Sequence, residues 1–121
     1  MDLCAGLSAE DLLLQSMPDA SPGKWHLAHT TWFFEQFVLG RDSVYQPRDP
    51  VWNYLFNSYY QSIGPMHARP RRGMLSRPSL DEVCDYRLRI DDAVGTLLAR
   101  DDDAELAALV ELGLQHEQQH Q

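Results

Sequence analysis

The sequence has 121 residues and a mass of 13.9 kDa, a length that predicts one domain, residues 1–121, with a core of its own. Ten basic against eighteen acidic side chains give a net charge of −8 and a pI near 4.9, which argues against binding a phosphate backbone. No apolar run approaches the ~18–20 residues of a membrane span, the start Met1-Asp2-Leu3 has no signal-peptide character, and Cys4 and Cys84 lack CxxC spacing. A reduced, cytoplasmic protein with no nucleic-acid or membrane partner is therefore expected.

In chain order, Ser8–Met17 reads as a short helix stopped by Pro18. A longer helix is expected from Ser21-Pro22, a Ser N-cap followed by Pro at the first helical position, to a stop at Gly40. Its inner face would carry Trp25, Ala28, His29, Trp32 and Phe33, with His26 turned away. Residues 41–78 read as a long irregular connection with one helical turn near Trp52–Tyr60. No acidic residue occurs between Asp49 and Asp81, although that stretch carries Arg69, Arg71, Arg72 and Arg77. The next helix starts at Ser79, where Glu82 completes a capping box, and its stripe is Val83, Tyr86, Ile90, Val94 and Leu97. The last begins in the acidic run Asp101–Asp103, which suits the positive end of a helix dipole. Its stripe runs through Leu106, Leu109, Val110 and Gly113 to His116 and His120. No strand alternation appears, so the class is all-α, a four-helix bundle with one long crossover.

His116 and His120 stand four apart and share the apolar face of the last helix. Imidazoles at the end of a core stripe need partners, either as satisfied core residues or as ligands to one metal ion. The string His116-Glu117-Gln118-Gln119-His120 has the HExxH pattern of zinc peptidases, but that class needs a further ligand, usually downstream. A third ligand is expected upstream instead, and His29, among aromatics on a buried helix face, is the candidate. Three neutral imidazoles hold a divalent ion and leave positions open for substrate, water or oxygen.

The segments SPGKWHLAHTTWFFE, FNSYY, RPRRGMLSRP and HEQQHQ, in that order, closely resemble the N-terminal DinB-like domain of ergothioneine-biosynthesis sulfoxide synthases, the hercynine oxygenases. The likeness extends over roughly residues 8–121 and implies a DinB-like four-helix bundle. It implies a non-heme Fe(II) enzyme that uses O₂ to join a thiol, cysteine or γ-glutamylcysteine, to trimethylhistidine (hercynine). By the same likeness His29, His116 and His120 are the iron ligands, and Gln119 contacts the betaine substrate. The family's larger C-terminal formylglycine-generating-enzyme-like domain has no counterpart here, so the chain reads as a fragment or one half of a split enzyme. A separate C-terminal domain or a second copy would then complete it.

Arg69 and Arg72 fit that chemistry as a clamp on the carboxylate of the thiol substrate, or else form a solvated basic loop. Tyr59 and Tyr60 offer phenols as proton donors, a role the family assigns to tyrosine, or else pack on Trp25 and Trp32. Spacing alone does not name the metal, since zinc or nickel suits the same three imidazoles. The neighbouring readings are a stand-alone DinB-like metal-dependent thiol transferase and a non-catalytic metal-binding or interaction domain.

Overall fold

A computed structural model describes residues 2–58 and 64–121, and the described residues contain helices, turns and loops but no strand. Among the described residues five α-helices follow one another: α1 (Ala9–Leu13), α2 (Gly23–Phe33), α3 (Val51–Phe56), α4 (Leu80–Arg100) and α5 (Ala104–Gln119). The all-α class and the long crossover, between α2 and α4, are as expected. The first bundle helix is brief, however. Ser8 caps α1 in a capping box with Asp11, but the backbone turns extended at Leu14, before Met17.

The centre of the fold is α2, against which α1, α3, α4 and α5 all pack. Lys24, Trp25 and every residue from Ala28 to Phe33 are buried, so this helix is enclosed on most sides rather than amphipathic. Its start differs from expectation. The N-cap residue is Pro22 with no side-chain cap, and the Ser21 hydroxyl accepts a hydrogen bond from Arg72 Nη1 at 2.9 Å instead. Beyond Phe33 the rod continues through a π turn (Phe34–Val38) and a 3-10 turn (Leu39–Arg41), ending beside the predicted stop at Gly40.

The π turn carries Glu35, a carboxylate only 4% exposed. Such a group needs strong partners, and it has three. It accepts from Tyr45 Oη at 2.7 Å, from the Arg48 amide at 3.2 Å, and from the Tyr86 hydroxyl on α4. Burial raises the Tyr86 phenol well above its ordinary value, with the Glu35 charge adding to the shift, so it stays a donor. Tyr86 thus occupies the apolar stripe of α4 while its hydroxyl serves the π turn.

The Ser79–Glu82 capping box forms as read, with reciprocal bonds of 2.7 and 3.2 Å. Val83, Tyr86, Ile90 and Val94 are buried and Leu97 packs at their edge. Asp103 caps α5 through the Glu105 amide at 2.9 Å. An ion pair of 2.9 Å between Arg87 and Glu117 then ties α4 to α5. Leu106 and Gly113 are the buried positions of α5. At Gly113 the helices approach closely, because a Cβ there would lie 2.5 Å from Cε1 of the buried Phe34 ring.

Two side chains fold the crossover back onto α2. Gln15 donates to the carbonyls of Ala20 and Arg69, both at 2.8 Å, and accepts from the Gly73 amide at 2.7 Å. The Lys24 ammonium donates to the carbonyls of Leu75 at 2.9 Å and Pro78 at 2.8 Å. Together they hold the arginine-rich 3-10 turn Arg69–Met74 beside the first turn of α2.

Gly113→Ala is expected to lower unfolding stability by about 1–3 kcal/mol through overpacking on Phe34. Gly95→Ala, mid-α4 with nothing within 4 Å of the added Cβ, is expected to raise it by up to ~1 kcal/mol through helix propensity. Urea denaturation of the two variants measures both, and equal effects would contradict the packing described.

Candidate metal centre

His29 lies in the middle of α2, 2% exposed, between the indoles of Trp25 and Trp32. Its ring stacks on Trp25 at 4.6 Å and 13°, and on Trp32 at 5.7 Å and 17°. Nδ1 lies 2.6 Å from the carbonyl oxygen of Phe56, the last residue of α3, whose acceptor has no continuing helix to serve. A carbonyl only accepts, so Nδ1 carries the proton and Nε2 is left bare. The indoles are held by the same short helix, Trp25 donating to the Leu55 carbonyl at 2.9 Å and Trp32 to Asn53 Oδ1 at 2.8 Å.

From α5, His116 Nε2 approaches His29 Nε2 to 3.2 Å, and the His116 ring stacks on Phe33 at 4.5 Å. His120, at the C-cap of α5, completes the cluster, and one nitrogen from each of the three rings lies within 4.8 Å of the others. Two nitrogens on one ion with bonds of about 2.1 Å are separated by about 3.0 Å at a right angle and about 3.4 Å at the tetrahedral angle. The 3.2 Å spacing falls between these values. The buried His116 Nδ1 has no hydrogen-bond partner among the described residues. With Nε2 of His29 bare, a proton or a cation must lie between the facing nitrogens. The cluster can hold a metal ion.

The rings are neutral and ready to ligate. Burial drives His29 down from 6.5 to about 3, against the Phe56 hydrogen bond that favours the charged form. Burial and the neighbouring His120 take His116 to about 4. Burial also lowers His120, with the Arg72 charge adding to the effect.

His26 does not turn away. Its Nδ1 lies 2.8 Å from His120 Nδ1, and burial followed by the His120 charge lowers it to about 4. Residues three apart on a helix are neighbours on one side, which the sequence reading of His26 and His29 overlooked. The i, i+3 spacing was the available signal. His67 stands apart, bonded within its own loop to the Arg71 carbonyl at 3.1 Å.

Arg72 is 3% exposed, its guanidinium 3.5 Å from the centroid of the Trp25 ring whose plane stacks on His29. Its Nε has no hydrogen-bond partner among the described residues, and its charge is felt at His26, His29 and His120. Arg69, half-buried on the same turn, adds positive charge at His26 and Arg72. Gln119 is exposed on the last turn of α5. Tyr59 and Tyr60 lie outside the described residues. A cleft of about 480 Å³ opens beside His26 and His120, walled by Leu3, Leu7, Leu12 and Leu27, with Cys4 at its side. Both cysteines are free thiols, and no described helix is long and apolar enough to cross a membrane.

The model of the DinB superfamily matches residues 1–121, and the chain belongs to that superfamily, which is commonly metal-binding. No curated protein matches the chain.

His29→Ala and His116→Ala are each expected to weaken Zn(II) or Fe(II) binding at least about tenfold, whereas His67→Ala leaves it unchanged. Isothermal titration under anaerobic conditions reads the difference. The metal-free chain also has a defined pH response. His26, His29 and His116 titrate at about 4, 3 and 4 when folded, below the ordinary 6.5. The unfolded chain therefore takes up protons first as pH falls. Stability is full above pH ~6.5 and declines progressively toward pH ~4, as the urea midpoint across that range would show.

Proposed function

We propose that this chain is the iron-binding domain of a non-heme, O₂-dependent sulfoxide synthase that joins a thiol, cysteine or γ-glutamylcysteine, to trimethylhistidine. The observation that carries the proposal is the convergence of His29 with His116 and His120, brought from two helices to mutual distances within 4.8 Å. It is supported by the four sequence segments that resemble hercynine oxygenases, which supply these three histidines and the residues around them.

Three neutral imidazoles leave an ion's full charge uncompensated and part of its coordination sphere open, a setting for catalysis rather than structure. Iron held there would supply O₂ activation and a charge that attracts thiolate. The chain's own residues do the rest. Arg69 and Arg72 place positive charge on the His26 side of the site, where it attracts a substrate carboxylate. The burial of Arg72 makes its charge strong but leaves Arg69 the more accessible of the two. Tyr59 or Tyr60 donates a proton to the reacting oxygen, and Gln119 contacts the betaine. The aromatic surroundings of His29 exclude water from one side. A further domain or a second copy closes the other side, and the free thiols fit a reducing cytoplasm.

The test is anaerobic Fe(II) loading followed by trimethylhistidine, cysteine or γ-glutamylcysteine, and O₂. Binding of one Fe(II) per chain, with electron paramagnetic resonance of the nitric oxide adduct perturbed by both organic substrates, supports the proposal even before turnover. A nitrosyl signal indifferent to both substrates overturns it. Thiol transfer with zinc or nickel in the absence of O₂ would assign the site to the transferase class instead.

A further inference from the structure

We infer that His26 is a positioning residue of the metal centre, a hydrogen-bond partner that selects which nitrogen of His120 faces the ion. The inference rests on reading the three-histidine cluster as a metal site. It adds a residue that the ligand set does not include.

The argument is one of proton placement. His26 Nδ1 and His120 Nδ1 lie 2.8 Å apart, a hydrogen-bond distance that requires a single proton between them. A neutral imidazole carries one proton, and the nitrogen that binds a metal must be bare. If the shared proton belongs to His120, its Nδ1 donates to His26 and its Nε2 is bare. If the proton belongs to His26, His120 must carry its own proton on Nε2 and cannot ligate through it. Because Nδ1 of His120 is turned to His26, His120 reaches an ion only through Nε2, which must be bare. The shared proton then belongs to His120 Nδ1, and the proton of His26 sits on its own Nε2. His26 is left as an acceptor at Nδ1. His120 therefore donates to His26, and the arrangement presents Nε2 of His120 to the ion.

This matches what Phe56 does for His29 from the opposite side. Two of the three ligands thus have their tautomer set by an outer partner, one a carbonyl and one an imidazole. His120 sits at the C-cap of α5, and its side chain is restrained by the ring beside it. Ring contact between His26 and His120, with centroids 5.1 Å apart, supplies that restraint.

The experiment compares the parent chain with His26→Phe, which keeps a ring without an acceptor, and His26→Gln, whose amide oxygen accepts the same proton. Long-range ¹H–¹⁵N correlation spectra of the metal-free parent at pH 7 report the tautomers directly. His120 protonated at Nδ1 and His26 at Nε2 are expected. Co(II) titration then reads affinity and the visible ligand-field spectrum. His26→Phe is expected to bind Co(II) about 10–100-fold more weakly with an altered spectrum, while His26→Gln stays close to the parent in both. The opposite tautomer of His120 in the parent, or parent-like Co(II) binding by His26→Phe, overturns the role of His26 while leaving the three-histidine centre intact. Loss in His26→Gln as complete as in His120→Ala would make His26 a ligand and likewise overturn the positioning role. A parent that binds no Co(II) removes the centre itself, and the role of His26 with it.

Discussion

The structure depends on one hydrogen bond, from His29 Nδ1 to the carbonyl of Phe56 at 2.6 Å. An imidazole buried in the central helix has to satisfy at least one polar atom inside the protein, and a carbonyl at the end of a helix has lost its usual donor. Each group solves the other's problem. The bond anchors α3, and with it the middle of the long crossover, against α2. The Trp25 and Trp32 indoles repeat the contact one turn to either side, so a helix of six residues is held at three points. Because the carbonyl can only accept, the same bond leaves Nε2 of His29 bare and aimed at α5.

The enclosure of α2 explains much of the remaining polar architecture. A helix buried on most sides brings its polar residues inside with it, and each must find a partner within the protein. Lys24 is met by loop carbonyls, Glu35 by two tyrosines and an amide, and Thr31 by the Leu27 carbonyl one turn back. The π turn belongs to the same pattern. It widens the rod just beyond the aromatic cluster, where Phe34 meets the bare backbone of Gly113 and Glu35 faces α4. These contacts set the separation of α2 from α5, and therefore the 3.2 Å between His29 and His116.

Charge is segregated in a way that serves the site. Acidic residues crowd the ends and outer faces of α4 and α5, while the turn Arg69–Met74 is basic and lies against the first turn of α2. Arg72 and His29 both pack on the Trp25 ring, so a buried cation stands close to the histidine cluster. Burial keeps the nearby imidazoles unprotonated, and the Arg72 charge adds to that effect.

Helix-forming signals in this chain are local, and they were legible for that reason. The Ser79–Glu82 box, the helix start in the acidic run Asp101–Asp103 and the α4 stripe are set by residues within a turn or two of one another, and all three form as read. The i, i+4 pair His116–His120 and the aromatic setting of His29 were visible on the same grounds. What failed was also local in appearance but tertiary in fact. Ser21 was free to cap α2 until Arg72, 51 residues later, took its hydroxyl. The role of Glu35 depends on Tyr45 and Tyr86, partners that come from other elements. By itself the sequence determined the all-helical class, the helix starts on α4 and α5, and the three histidines able to ligate. Only the tertiary structure decided which ring nitrogens face one another, that His26 joins His120, and that Arg72 is buried on Trp25. Those outcomes depend on how separate helices are rotated and spaced about α2, and no periodicity within a single segment encodes that relation.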